Sequence, residues 1–261
     1  MTDQITVEQR GHVLLIGLNN PDKYNAYTRD MHHGLARAYY ELDSNPELRC
    51  GVLFSHGKHS TAGLDLPQWT DDFAAGTWPD LADNECDPLG LIPEKRVSKP
   101  IVSAVHGICY TIGIEMMLAT DIRVAAESTR FGQIEPRRGI YAVGGATVRF
   151  VQNMGWGNAM RWLLTAEDFT AAEAYRTGLI QEVVEDGKAL ERATEIAELI
   201  AKQAPLGVYA TLRSSRQSVT EGEQAAFKDL MKDLVPIMKS EDAEEGVKSF
   251  VERREAQFKG R

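Results

Sequence analysis

Twice along this chain a short apolar run, a glycine-bearing turn and a helical run follow one another, around Gly51 to Leu66 and again from Ile101 to Val124. This repetition constrains the fold more than any other feature. A buried strand that stops at a glycine and gives way to a helix can recur only if the strands align side by side and the helices cover a face. The pattern predicts an α/β arrangement of ββα-like units. In the second copy, Ile101-Val102-Ser103-Ala104-Val105 is a buried strand ended by Gly107. A helix is expected from Gly113 to about Ala119, a strand over Ile122 to Ala125, and a short one over Thr129 to Phe131. In the first, Gly51-Val52-Leu53-Phe54 empties into a polar loop, His56 to Gly63, with a turn at Asp65.

Around these units the chain reads as follows. Ile5, Val7, Val13 and Leu15 alternate about Arg10-Gly11, predicting an opening hairpin. Thr28 is placed to cap a helix reaching about Leu42. Trp69 to Pro93, rich in Asp, Pro, Gly and Trp, reads as a long mobile loop near a binding site. Thr170-Ala171-Ala172-Glu173 is a capping box whose helix Gly178 would end, and Ile180 to Val184 reads as a final strand. Beyond Lys188 the pattern is helical: Ala189 to Gln203, Leu206 to Gln217 after a break at Pro205, Glu221 to Met238, and Asp242 to about Phe258. The expected organisation is a core over 1–186 and a helical oligomerisation region over 187–261, packing on the chain's own core being the alternative for those helices.

Several function classes are excluded. With 38 acidic against 29 basic residues and a formal charge of −9, no nucleic acid is expected as a partner. Three cysteines without C-x-x-C spacing indicate neither a disulfide framework nor a thiolate zinc site, which suits a reducing cytoplasmic setting. The start MTDQITVEQR, with Asp3 and Glu8, is wrong for a signal peptide, and no stretch has the length of apolar residues that a membrane span needs. His56-Gly-Lys-His59 lacks a third metal ligand, and Gly155-Trp-Gly157 does not supply a dinucleotide fingerprint. No metal and no permanently bound cofactor are expected.

The chemistry concentrates in Gly107 to Gly145, which carries Glu115 and Glu135. Glu115 stands among Ile112, Ile114, Met116, Met117 and Leu118, where a carboxylate is costly to bury unless paired or protonated. For Glu135, followed by Pro136-Arg137-Arg138, a salt bridge competes with a catalytic reading. The turns Thr61-Ala62-Gly63-Leu64-Asp65 and Thr111-Ile112-Gly113-Ile114-Glu115 each place a glycine where a strand is expected to become a helix. Backbone N–H groups left unpaired there could together form an oxyanion hole, which enolate chemistry on a thioester requires.

NNPDKYNA (Asn19–Ala26), TAGLDL (Thr61–Leu66), GICYTIGIEMMLATDIRVA (Gly107–Ala125) and FGQIE (Phe131–Glu135), in this order, resemble the enoyl-CoA hydratase/isomerase, or crotonase, superfamily. The resemblance extends through AEAYRTGLIQEVV from Ala172 to the closing ERREAQFKGR. It implies a crotonase-like superhelix of ββα units with a helical C-terminal trimerisation region, assembled as a homotrimer or a dimer of trimers. It implies oxyanion-hole amides on Leu64 and Ile112, and a hydratase pair on Glu115 and Glu135, twenty residues apart. Coenzyme A, as part of the acyl-CoA thioester substrate, would lie along Lys23, Tyr24, Ala26, Ala62, Asp65 and Leu66, with Phe250 and Arg253 approaching its nucleotide end. The activity implied is that of a hydro-lyase: reversible syn hydration of a 2-enoyl-CoA through a stabilised enolate. A 3,2-enoyl-CoA isomerase and a non-catalytic CoA-thioester-binding oligomer stand as alternatives. The chain departs from the family at TIGIE, where Ile112 replaces a glycine, at Pro136-Arg137-Arg138, and in a shorter Gly139 to Gly144 loop. These departures point to an unusual acyl group, with Trp69, Phe73 and Trp78 as the first residues to examine for acyl specificity.

Overall fold

In the computed structural model residues 4–261 are described; Asp3 lies outside them. The strands in chain order are β1 (Ile5–Arg10), β2 (Val13–Leu18), β3 (Cys50–Ser55), β4 (Ile101–Val105), β5 (Ile108–Tyr110), β6 (Ile122–Ala126), β7 (Arg130–Gly132), β8 (Phe169–Thr170) and β9 (Glu182–Val184). β1 and β2 close as the expected hairpin, with Arg10 opposite Val13 and Gly11 at φ +56° in the turn. The six-stranded sheet runs β1-β2-β3-β4-β6-β9 and is parallel from β2 onward. VLLIGL in β2 is buried along its whole length, as a strand covered on both faces must be. A second sheet, β5-β7-β8, is formed by the short strands that leave the first one at Gly107 and Ser128.

Helix α1 (Arg29–Ser44) starts where the sequence predicts, the Thr28 hydroxyl accepting from the Met31 amide at 3.1 Å. The first copy of the repeat departs from expectation. Its turn opens no α-helix at Leu64; a 3₁₀ turn at Leu66–Gln68 precedes the short α2 (Thr70–Ala75). The 69–93 segment, which its composition marks as a long loop, is anchored to the core. Trp69 is fully buried, its indole N–H donates to the Tyr27 carbonyl at 2.9 Å, and Phe73 and Trp78 pack on the same core. The second copy forms as predicted, with α3 at Ile112–Ala119. Residues Ile112 through Leu118 of α3 are all buried, because the helix runs between two cores. Ile112 and Met116 face one and Ile114, Met117 and Leu118 the other, so Glu115 has no solvent side to turn to.

Helix α4 (Ala146–Thr165) has no counterpart in the sequence reading, because Gly155 and Gly157 interrupt its pattern; Gly155 breaks the helical geometry at φ 74°, ψ 164°. α5 (Ala171–Arg176) has its Thr170 cap, but Glu173 pairs with Arg176 instead of reaching back to complete the box. α6 (Ala189–Ala201) covers the six-stranded sheet, burying Ala189, Ala193, Ile196, Ala197 and Ala201 against Val13, Val52, Val102 and Val124. α7 (Pro205–Glu221), with proline at its first position, and α8 (Glu223–Ile237) pack on each other. α9 (Glu241–Glu252) stops short of the predicted Phe258: Arg253 turns left-handed at φ 54°, and the tail folds back so that Asp242 accepts the Lys259 and Gly260 amides.

Candidate active site

Two backbone turns come together first. Thr61 bridges Cys109 in parallel, its amide donating to Ile108 and its carbonyl accepting from Tyr110. Three residues beyond each bridge partner stand Leu64 and Ile112, so the two amides emerge in step from neighbouring chains. Gly63 permits this approach, since a Cβ there would lie 2.6 Å from Thr111 Oγ1 and φ is +118°. Neither amide donates a hydrogen bond within the described residues, but for different reasons. Ile112 is the first residue of α3, where no carbonyl lies a turn behind. Leu64 stands at no helix start. It bridges Tyr27, whose amide bonds to Gly63 and whose carbonyl accepts from Asp65, and a parallel bridge of this kind aims the Leu64 N–H the other way. The residue in a glycine-like conformation is Thr111, at φ 48° and ψ −115°, rather than Ile112.

Glu115, one turn into α3, is 3% exposed. Its Oε1 accepts the Ala146 amide at 3.0 Å and the carboxylate also takes the Gly144 amide. A Cβ on Gly144 would sit 2.5 Å from Glu115 Oε2, so this glycine gives the carboxylate its room. Burial pushes the carboxyl up to about 7, opposed by the Ala146 and Gly144 amides and by the Arg149 guanidinium. Glu135 opens a 3₁₀ turn (Glu135–Arg138) that Gly139 ends, and it is 8% exposed. Gln133 Nε2 donates to its Oε1 at 2.8 Å, while Oε2 has no partner. Burial lifts this carboxyl to about 7 as well, the Glu115 charge adding to the rise while its own amide and Gln133 oppose it. The competing salt bridge does not form among the described residues: Arg137 lies 3.6 Å from Asp168, which also accepts the Tyr110 hydroxyl at 2.5 Å. Two buried carboxyls within electrostatic reach, neither ion-paired, share their titration.

A family profile described as enoyl-CoA hydratase/isomerase matches residues 8–261. The chain belongs to this family. Enoyl-CoA hydratase EchA19 of Mycobacterium tuberculosis is 38% identical over 255 residues, covering 98% of this chain and 96% of that protein. Mevalonyl-coenzyme A hydratase sidH of Aspergillus fumigatus is 34% identical over 255 residues, 95% of this chain and 92% of its own. Among solved structures, a probable enoyl-CoA hydratase/isomerase from Mycobacterium abscessus superposes with a TM-score of 0.95 at 44% identity, covering 99% of both chains. The expected crotonase-like fold is therefore the fold of this enoyl-CoA hydratase/isomerase family member.

The family positions proposed for coenzyme A divide into two groups. Lys23 and Tyr24 end an exposed turn, and Tyr24 and Asn25 are both left-handed at φ 52°. That loop is stitched to the Thr61–Asp65 turn: the Ala62 amide donates to the Tyr24 carbonyl, Thr61 Oγ1 to the Asn25 carbonyl, and buried Asn25 donates to the His56 and His59 carbonyls. Lys23, Tyr24, Ala26, Ala62, Asp65 and Leu66 thus line one edge beside Leu64. Among the described residues no hydrogen bond or ion pair brings Phe250 and Arg253 to that edge; Phe250, 84% exposed, stands on the outer face of α9. Sequence reasoning assigned no role to Gln133, Gly144 or Arg149. Gln133 lies inside FGQIE and a buried amide beside a carboxylate was a readable signal; the other two belong to a stretch with no helical pattern to place them.

Proposed function

We propose that this protein is an enoyl-CoA hydratase that adds water reversibly across the α,β double bond of a 2-enoyl-CoA. The observation that carries this reading is the pair of buried carboxyls, both poised at about 7 and neither in an ion pair among the described residues, beside two unpaired amides. At neutral pH such a pair shares about one proton, which supplies an acid and a base together. The Leu64 and Ile112 amides hold the thioester oxygen. Glu115, as carboxylate, takes a proton from a water it orients, and the water oxygen bonds to the β-carbon. The π electrons move onto the thioester oxygen, where the two amides stabilise the enolate. Glu135 gives its proton from Oε2 to the α-carbon as the carbonyl re-forms. Both carboxyls act from one face, so the addition is syn. Losing one oxyanion donor typically costs on the order of a hundredfold in rate, so the turns matter as much as the acids.

Coenzyme A is bound along Lys23, Tyr24, Ala26, Ala62, Asp65 and Leu66, as part of the substrate and not as a resident cofactor. The region 187–261 forms a homotrimer or a dimer of trimers, supported by the apolar side chains that α8 leaves exposed, Phe227, Leu230, Met231, Leu234 and Val235. In such an assembly Phe250 and Arg253 meet the nucleotide end of a CoA held by another copy. Turnover of 2-enoyl- and 3-enoyl-CoA thioesters by the wild type, Glu115→Gln and Glu135→Gln tests the function. Hydration lost in both variants is expected. Full hydration by Glu115→Gln would sink the reading, and turnover of 3-enoyl thioesters alone would make the protein an isomerase.

A further inference from the structure

Arg96 is a cation without a partner. Its side chain is half-buried, its Nε is closed off from solvent with no acceptor, and no hydrogen bond or ion pair among the described residues engages its guanidinium. Two more arginines lie close by, each with one buried nitrogen unsatisfied. Arg149 Nη2 donates to the Gly90 carbonyl at 3.0 Å while Nη1 has nothing to donate to. Arg216 spends its terminal nitrogens on Val97 and Asp121, at 2.6 and 3.0 Å, and its Nε is orphaned. The local acids do not satisfy all the donors of this group. Asp121 serves Arg216 and the Ile101 amide, and Asp87 is taken up by the amides of Leu89, Leu91 and Ile92. Asp121, Asp87 and, beside Arg149, Glu115 match the three guanidiniums in charge, yet three N–H groups are left over. Buried donors are normally satisfied, so the cluster can take one further acceptor. Burial draws Arg96 down to about 10, its neighbours Arg216 and Arg149 lowering it further and Asp121 and Asp87 opposing them.

The position of the cluster tells which acceptor. Gly144 abuts Glu115; a Cβ on Gly145 would lie 2.8 Å from Arg149 Nη1 and 3.4 Å from Leu91 Cδ2; and one on Gly90 would lie 3.2 Å from Arg96 Nε and 3.5 Å from Arg149 Nη2. Glu115, Arg149 and Arg96 are thus joined through three glycines that raise no side-chain wall between them. The arginines are reached from Glu115 on its Gly144 side. Exposed apolar side chains, Leu91, Ile140, Tyr141 and Val143, stand on the same two segments. An acyl chain leaving the carboxyl pair past Gly144 would run toward these side chains and the arginines.

We propose that Arg96 and Arg149 form a subsite for a carboxylate at the far end of the acyl chain, making the substrate class the 2-enoyl-CoA thioesters of dicarboxylic acids. This rests on the hydratase reading above. A flat carboxylate supplies acceptors that suit planar guanidinium donors left without one.

The test compares kcat/KM for 2-enoyl-CoA thioesters of five to eight acyl carbons, each ending either in a methyl group or in a carboxylate at equal length. The expected result is that the best carboxylate-ended thioester exceeds its methyl-ended counterpart by about tenfold or more, chiefly through KM. Arg96→Met, which keeps the aliphatic packing, abolishes that preference, and Arg96→Lys restores part of it. Equal or better use of methyl-ended thioesters at every length overturns the proposal while leaving the hydratase reading intact; so does a preference that survives Arg96→Met. If the wild type hydrates neither series, the hydratase reading fails by itself. The subsite is then judged by calorimetric affinity for saturated dicarboxylic against matched monocarboxylic acyl-CoA, and equal affinities overturn it.

Discussion

Replacing Glu115 with Gln should make the protein more stable at alkaline pH than the wild type. Burial raises the Glu115 carboxyl from 4.5 to about 7. Each unit corresponds to about 1.4 kcal/mol, so holding this group ionised in the folded chain costs about 3 kcal/mol. The folded pKa lies above the unfolded one, hence between these values the folded state binds more protons than the unfolded state. Wild-type stability therefore falls as pH rises through the window from 4.5 to about 7 and levels off above it. Glutamine has the same shape and no charge to lose. Urea unfolding of both proteins at pH 5 and pH 8.5, at one protein concentration, cancels any constant effect of the substitution. The stability difference should shift in favour of Glu115→Gln by about 2.5 kcal/mol between the two pH values. The slope steepens further because Glu135, relieved of its neighbour's charge, titrates lower in the variant. Parallel pH dependences, or a wild type that gains on the variant as pH rises, would refute the reasoning that Glu115 is held against its own ionisation.

Gly144→Ala places a methyl group 2.5 Å from Glu115 Oε2, so kcat should fall by roughly a hundredfold with the circular dichroism spectrum unchanged; activity within twofold of wild type would show that the carboxylate needs no room there. Gln133→Leu removes the donor that favours ionised Glu135, so its pKa rises further above about 7 and the alkaline limb of kcat/KM moves up by about one unit; an unmoved limb would separate Gln133 from the acid. Thr111→Gly relieves a backbone at φ 48°, ψ −115° and should raise the unfolding free energy by about 1 kcal/mol, whereas a loss would mean that the Thr111 side chain holds the turn against Gly63.

Features that depend on a few consecutive residues were legible in the sequence. The Thr28 cap, the hairpin at Gly11, the proline start of α7 and the all-apolar surroundings of Glu115 follow from local hydrogen bonding and periodicity, which neighbouring residues settle among themselves. Where a local pattern was broken, the reading went astray. Gly155 hid α4, composition did not disclose the packing of the 69–93 segment, and a strand-to-helix rhythm suggested a helix at Leu64 that does not form.

The order of the motifs, and the spacing of Glu115 and Glu135, were enough to place the chain in its family. What those residues experience was decided only in three dimensions. The Leu64 amide is free because Tyr27 bonds on either side of it, Glu115 is driven toward its neutral form by burial between two cores against the opposing amides of Gly144 and Ala146, and Arg96 has no hydrogen-bond partner among the described residues while Asp87 is taken up by its own loop. The physical reason is common to all three. Whether a donor is satisfied or a charge is solvated depends on what stands opposite it, and here that is supplied by segments distant in the chain or by turns whose shape only packing fixes.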